Sequence, residues 1–180
     1  NLTTPQIITI NDNTGKTLTT LVDNQKLVQK VAGLNMPSKE FFSFTTSDGV
    51  ELNGWMMKPA NFDPNKKYPV IMHQYSGPGS QRVIDQWNIG SRSDGGMFEA
   101  YMADHGFISV CVDGRGTGGR GAEFEKCTYM NLGVKEARDQ VETALYLGTL
   151  RYVDAKNIGI WGWSFGGYTT LMAMSEGTPV

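Results

Sequence analysis

One short stretch limits what this chain can fold into. Gly162-Trp163-Ser164-Phe165-Gly166 follows an apolar run, Asn157-Ile158-Gly159-Ile160-Trp161, and precedes a helix-forming run from Tyr168 to Ser175. The order is strand, sharp turn, helix, with a serine between glycines at the turn, which is the arrangement of a nucleophile elbow. Such a turn forces Ser164 into a strained backbone conformation that lifts its hydroxyl clear of a sheet. Gly162 and Gly166 carry no side chain, so the helix can pass close to the strand. The Phe165 N–H then falls at a helix N-terminus, where unpaired donors and the helix dipole favour an oxyanion. The bland alternative is a glycine-rich strand–helix turn with an unremarked serine.

The chain before this stretch moves from hairpins to alternating strands and helices. Gln6–Ile10 and Thr17–Val22 are β-rich and flank the turn residues Asn11–Lys16, which predicts a hairpin within residues 1–24. A lone hairpin is marginal in water, so this one is expected to belong to a larger β structure. Gln25–Ala32 is a short helical candidate ended by Gly33. Phe41–Thr46 and Val50–Met57 read as an antiparallel pair joined by Ser47-Asp48-Gly49. Tyr68–Tyr75 is apolar on both faces and suits a central strand of a mostly parallel sheet.

Further on, Met97–His105 is helical in pattern and is followed by a buried strand, Phe107–Val112. Gly121–Leu132 has no clean helical pattern. Val134–Gly148 does, with Val134, Ala137, Val141, Ala144 and Leu145 on an apolar face and Lys135, Glu136, Arg138, Asp139 and Glu142 on a polar one. The last helix is expected to stop near Gly177 and Pro179. This alternation predicts an α/β fold, a mostly parallel sheet with helices on both faces. The sheet is expected to be incomplete beside the elbow strand. The apolar edge left there predicts association, with another copy or with a C-terminal partner.

Composition excludes several function classes. A chain of 180 residues can form one domain with a proper core. Its net charge of −2 gives no electrostatic case for nucleic acid or an anionic membrane, and no apolar run approaches a membrane span. The chain starts at Asn1 with neither leader nor initiator Met and reads as a mature or excised piece. Cys111 and Cys127 make no disulfide framework. No metal or cofactor is expected.

Other stretches bear on chemistry. Asp113-Gly114-Arg115-Gly116-Thr117-Gly118-Gly119-Arg120 contains G-x-G-x-x-G directly after a strand. A dinucleotide fingerprint would need a helix opening there and then a second strand with an acidic residue. The segments that follow do not supply them, so a strand-end loop is expected, with Asp113 and Arg115 hydrogen-bonding neighbouring loops. Tyr75 ends the central strand just before Ser76-Gly77-Pro78, where such sheets build active sites. Its hydroxyl could donate to an oxyanion, or it could be a core or rim aromatic. A serine nucleophile also needs a base and an orienting carboxylate. The two histidines, His73 and His105, both precede Ser164, whereas this fold orders its triad Ser, Asp or Glu, then His. They are expected to be a core histidine and a helix-capping histidine.

Gly162–Tyr168, Tyr75-Ser76-Gly77-Pro78-Gly79-Ser80-Gln81 and Val112–Gly118 together resemble the prolyl oligopeptidase family, specifically its dipeptidyl peptidase IV branch. Leu21-Val22-Asp23-Asn24, Met36-Pro37-Ser38-Lys39 and Tyr152-Val153-Asp154 resemble that branch too. The resemblance covers essentially the whole chain. It implies that residues 1–38 are the end of a β-propeller blade and a connector, and that residues 39–180 are the front part of an α/β-hydrolase catalytic domain. It implies Ser164 as nucleophile and an oxyanion hole made by the Phe165 N–H and the Tyr75 hydroxyl. Phe165 would also help wall the pocket for a penultimate proline or alanine. The implied activity is release of dipeptides, in some members tripeptides, from free N-termini, and the implied compartment is periplasmic or extracellular.

The resemblance also implies a catalytic Asp and His after the serine, and substrate-gripping glutamates on the propeller. None of these lies within the 180 residues, so the chain alone is expected to be inactive. Two other readings stay open. An esterase on the same fold would use a His-Gly-Gly-Gly type loop, which is absent. A hydrolase-like module without catalysis is the third reading, and fold alone does not decide it.

Overall fold

The computed structural model describes residues 1–87 and 96–176, Ser38 by its backbone alone. The expected stop near Gly177 and Pro179 lies outside those residues. Two strands, β1 (Ile8–Asn11) and β2 (Thr17–Val22), pair antiparallel as a separate ladder. The Asp12 carboxylate holds their turn, accepting from the Thr14 and Lys16 N–H groups at 2.9 and 3.0 Å. Ile8, Ile10, Leu18, Leu21 and Val22 of this ladder are exposed. Helix α1 (Gln25–Ala32) follows and buries no residue.

The remaining strands form one sheet: β3 (Ser38–Thr45), β4 (Glu51–Lys58), β5 (Tyr68–His73), β6 (Ile108–Asp113) and β7 (Val153–Trp161), in the order β3-β4-β6-β5-β7. The β3–β4 and β4–β6 ladders are antiparallel, and β6–β5 and β5–β7 are parallel. The sheet is therefore mixed rather than mostly parallel in its pairing. The tight turn at Ser47–Gly49 folds β4 back on β3 and so places one reversed strand among four that run the same way. Gly49 takes φ +83°, a conformation an L side chain would strain.

Alternation along the strands divides the core between two faces. Leu52 and Met56 of β4, Val70 and Met72 of β5, and Val110 and Val112 of β6 pack with Ala144 and Leu147 of α4 (Val134–Gly148). On the other face Trp55, Met57 and Cys111 pack with Ala100 and Ala103 of α2 (Met97–Asp104). Helices thus cover both faces, as the strand–helix alternation requires. Residues 121–132, expected to be irregular, contain the short helix α3 (Ala122–Lys126). Five residues are too few for a periodicity to register.

Helix α4 corrects the expected amphipathic faces. Val134 and Leu145 are exposed, at 44% and 49%, whereas the carboxylates of Glu136 and Asp139 are fully buried. The inward stripe is half polar because each acid has a partner. Glu136 Oε2 accepts the Gly133 N–H at 3.0 Å, capping the helix. Burial still pushes the Glu136 carboxyl above its usual range. Asp139 receives the Arg115 backbone N–H at 2.6 Å and its guanidinium at 2.5 Å.

At Gly54, on the α4 face of β4, a Cβ would lie 2.5 Å from the Phe42 ring and 2.8 Å from Val112 Cγ2. Phe42 is itself held in a stack with Phe44 and Tyr146, so it cannot retreat freely. Gly54→Ala is expected to destabilise the fold by about 1–3 kcal/mol through overpacking. Urea denaturation should show the midpoint falling at an unchanged slope.

Candidate active site

Strand β7 ends at Trp161 and α5 (Phe165–Ser175) begins four residues later, so the reversal between them is abrupt. Ser164 stands at the corner with φ 55° and ψ −118° and is exposed. A non-glycine residue with positive φ away from the left-handed helical well is strained. The corner is held by two backbone bonds, Gly166 N–H to Trp163 O at 2.8 Å and Tyr168 N–H to Ser164 O at 3.1 Å. Phe165 opens α5, so its N–H is a first-turn donor with no acceptor inside the helix.

The glycines are required by contact with β5 as well as by the turn. A Cβ on Gly162 would stand 2.5 Å from the Gln74 carbonyl oxygen, and one on Gly166 would stand 2.3 Å from that oxygen and 3.1 Å from Tyr75 Cα. The elbow therefore lies directly on the end of β5. This places Tyr75 beside it, with its ring centroid 6.4 Å from that of Phe165. Phe165 meets Tyr168 edge to face at 5.4 Å. The Arg82 guanidinium covers the Tyr75 ring at 4.9 Å. At Gly77 a Cβ would come within 2.5 Å of that ring, so only glycine lets the loop fold back over it.

The loop after Tyr75 is braced from the neighbouring strand end. Ser76 is buried at φ 57°, and its Oγ accepts from Gln140 Nε2 at 3.2 Å. The same amide reaches Val112 O at 3.2 Å. Asp113 Oδ2 accepts the Arg82 and Val83 N–H groups at 2.8 and 2.7 Å. The Gly118 N–H donates to Ser80 O at 2.8 Å. The G-x-G-x-x-G segment is thus the strand-end loop expected from the sequence. Asp113 and Arg115 both hydrogen-bond neighbouring segments, Arg115 reaching Asp48 Oδ2 at 2.8 Å and Asp139.

Both histidines have structural surroundings. His73 is buried in β5, with its ring on Trp161 at 4.4 Å and Nδ1 3.4 Å from Glu99 Oε1 of α2. His105 caps α2, its Nδ1 lying 2.8 Å from Tyr101 O. Among the predicted site residues, the fold brings Ser164, Phe165 and Tyr75 together at the carboxyl ends of β5 and β7. Sequence reasoning overlooked Gln74 and Gln140, the amides that tie this corner to the strands and to α4. Their only signal was a polar residue in an otherwise apolar run or helix face.

Residues 97–180 match the model of the prolyl oligopeptidase family. A protein described as "Probable dipeptidyl peptidase 4" from Aspergillus flavus is 37% identical over 91% of this chain and 21% of its own length. Another, a "Probable dipeptidyl-aminopeptidase B" from Arthroderma gypseum, is 41% identical over 91% of this chain and 17% of its own. The crystal structure of Porphyromonas gingivalis dipeptidyl peptidase 4 superposes with a TM-score of 0.90 at 48% identity, covering 97% of this chain and 24% of that one. Over residues 97–180 the chain carries the sequence of the prolyl oligopeptidase family. It spans about a fifth of the length of the curated relatives it matches. Within the chain the matched segment carries α2, β6, α4, β7 and the elbow. Among the described residues no helix is long and apolar enough to cross a membrane.

Proposed function

We propose that this chain supplies the nucleophile and the oxyanion hole of a serine exopeptidase that releases dipeptides with a penultimate Pro or Ala. Residues 1–38 are then the end of a propeller blade and its connector, and residues 39–180 the N-terminal portion of the α/β-hydrolase domain. The observation that carries the reading is Ser164, strained and exposed at an elbow seated on the end of β5 beside Tyr75. The names of the relatives reported above, dipeptidyl peptidase 4 and dipeptidyl-aminopeptidase B, support the release of dipeptides.

The chemistry follows from the corner. Ser164 Oγ attacks the carbonyl carbon of the scissile bond while a base takes its proton. Negative charge moves to the carbonyl oxygen, which the Phe165 N–H and the Tyr75 hydroxyl stabilise. Collapse expels the amine and leaves an acyl-enzyme, which water then releases. The base and its orienting carboxylate come from polypeptide outside these 180 residues, and the chain alone turns over nothing. The Phe165 ring forms one wall for the penultimate side chain. The exposed outer side of β7 is where the remainder of the domain, or a second copy, associates.

Tyr75→Phe in the full-length protein tests this directly. It removes one donor and leaves the ring packed against Phe165 and Arg82. With a Gly-Pro chromogenic substrate, kcat should fall about 10²–10³-fold while KM stays nearly constant. Acylating the substrate's amino group should abolish cleavage. A loss under about fivefold would remove Tyr75 from the oxyanion hole.

A further inference from the structure

We propose that Gln74 is a positioning residue that sets the spacing between the two halves of the oxyanion hole, an inference that rests on the peptidase reading above. Gln74 is fully buried between β5 and α5. Its side-chain Nε2 donates to the carbonyl oxygen of Gly166 and to Thr170 Oγ1 at 3.0 Å, one turn further along the elbow helix. Its backbone N–H donates to Trp161 O at 3.2 Å, on the strand that enters the elbow. Its own carbonyl is the atom that Gly162 and Gly166 must be glycine to admit. One residue thus touches the elbow before and after Ser164, and the next residue in the chain is Tyr75.

The amide orientation is fixed by chemistry, since turning it over would set two carbonyl oxygens against each other. In the orientation present, Gln74 Oε1 is buried with no hydrogen-bond partner among the described residues. An apolar side chain of the same size would fill the space without that orphaned oxygen. The polar residue contributes a directional link between the segment leaving β5, which carries Tyr75, and the helix that carries the Phe165 N–H. An oxyanion hole depends on such spacing, because a displacement of about 1 Å can cost about 100-fold in rate.

The test is Gln74→Met in the full-length protein, which keeps length and volume and removes both donated bonds. The expected result is a fall in kcat of about 10- to 100-fold with KM within about twofold, and weaker binding of a peptide boronate, which forms a tetrahedral adduct, by the same factor. Thr170→Val removes one partner only and should give a smaller fall of the same kind. If Gln74→Met does not fold, Thr170→Val carries the test alone. Wild-type kcat in both variants, or an equal loss in kcat and in the folded fraction, overturns the proposal and leaves the peptidase reading standing. A wild-type protein that cleaves no Gly-Pro or Ala-Pro substrate overturns both.

Discussion

Replacing Ser164 with alanine in the full-length protein is expected to lower kcat by about a millionfold, the usual cost of losing the nucleophile of a serine triad. The fold should survive. The strain at φ 55° belongs to the backbone, and alanine bears it as serine does. The Ser164 side chain caps no helix N–H, so little structural bonding is lost. Substrate should still bind, because the wall proposed for Phe165 stays in place. Steady-state hydrolysis of a Gly-Pro chromogenic substrate, read beside the melting temperature, separates the two effects. Residual turnover above about a thousandth of wild type at an unchanged melting temperature would mean that another group performs the attack.

The second large effect is on stability. Arg115→Met should destabilise the fold by about 3–5 kcal/mol, because it leaves the Asp139 carboxylate buried without its cation. Arg115 joins three elements: its backbone and guanidinium hold Asp139 on α4, and Nη1 holds Asp48 in the β3–β4 turn. These carboxylates raise the guanidinium pKa still further above its usual value. A double change, Arg115→Met with Asp139→Leu, should recover only part of the loss, since the apolar side chains need no partner but the backbone N–H at position 115 loses its acceptor.

Acid sensitivity should move with the single change. Hydrogen bonds from Thr46, then from Arg115, hold the Asp48 pKa down to about 2 from 3.8. A depressed folded-state pKa gives stability that is present above pH 3.8 and lost as pH falls towards 2. Without Arg115 the depression is smaller, so this acid-dependent loss should shrink and be complete at a higher pH. Urea midpoints measured across pH 2 to 6 would show it, and a variant as stable as wild type would mean that Asp139 finds another partner.

Much of this was legible in the residues, for identifiable reasons. The elbow, α1 and α4 were readable because glycine punctuation and a helical period are local signals. The bounds of β2, α1 and α4 agree with the sequence expectation. The direction of β4 was half legible. Its turn with β3 is local, but its ladder with β6 joins Asn53–Met57 to Ser109–Asp113, a pairing that no short window contains. The inward face of α4 was misread because a polarity pattern counts Asp139 and Glu136 as solvent-facing, whereas Asp139 is held inside by Arg115, a partner that only the fold supplies, and Glu136 turns back to cap its own helix at Gly133. Tyr75 could be placed from its strand end. Gln74 could not, since its meaning depends on a carbonyl 92 residues away.

The sheet order also has a kinetic consequence. On a growing chain the β3–β4 hairpin emerges early, but β4 cannot fill its second side until β6 appears about fifty residues later. The elbow strand, last of the five, then adds to β5 through a parallel ladder that joins Tyr68–His73 to Val153–Trp161. Pairings this distant carry a high loop-closure cost and form slowly. Of these five strands, the one that delivers the nucleophile is therefore the last to be made, after the strand that leads into Tyr75.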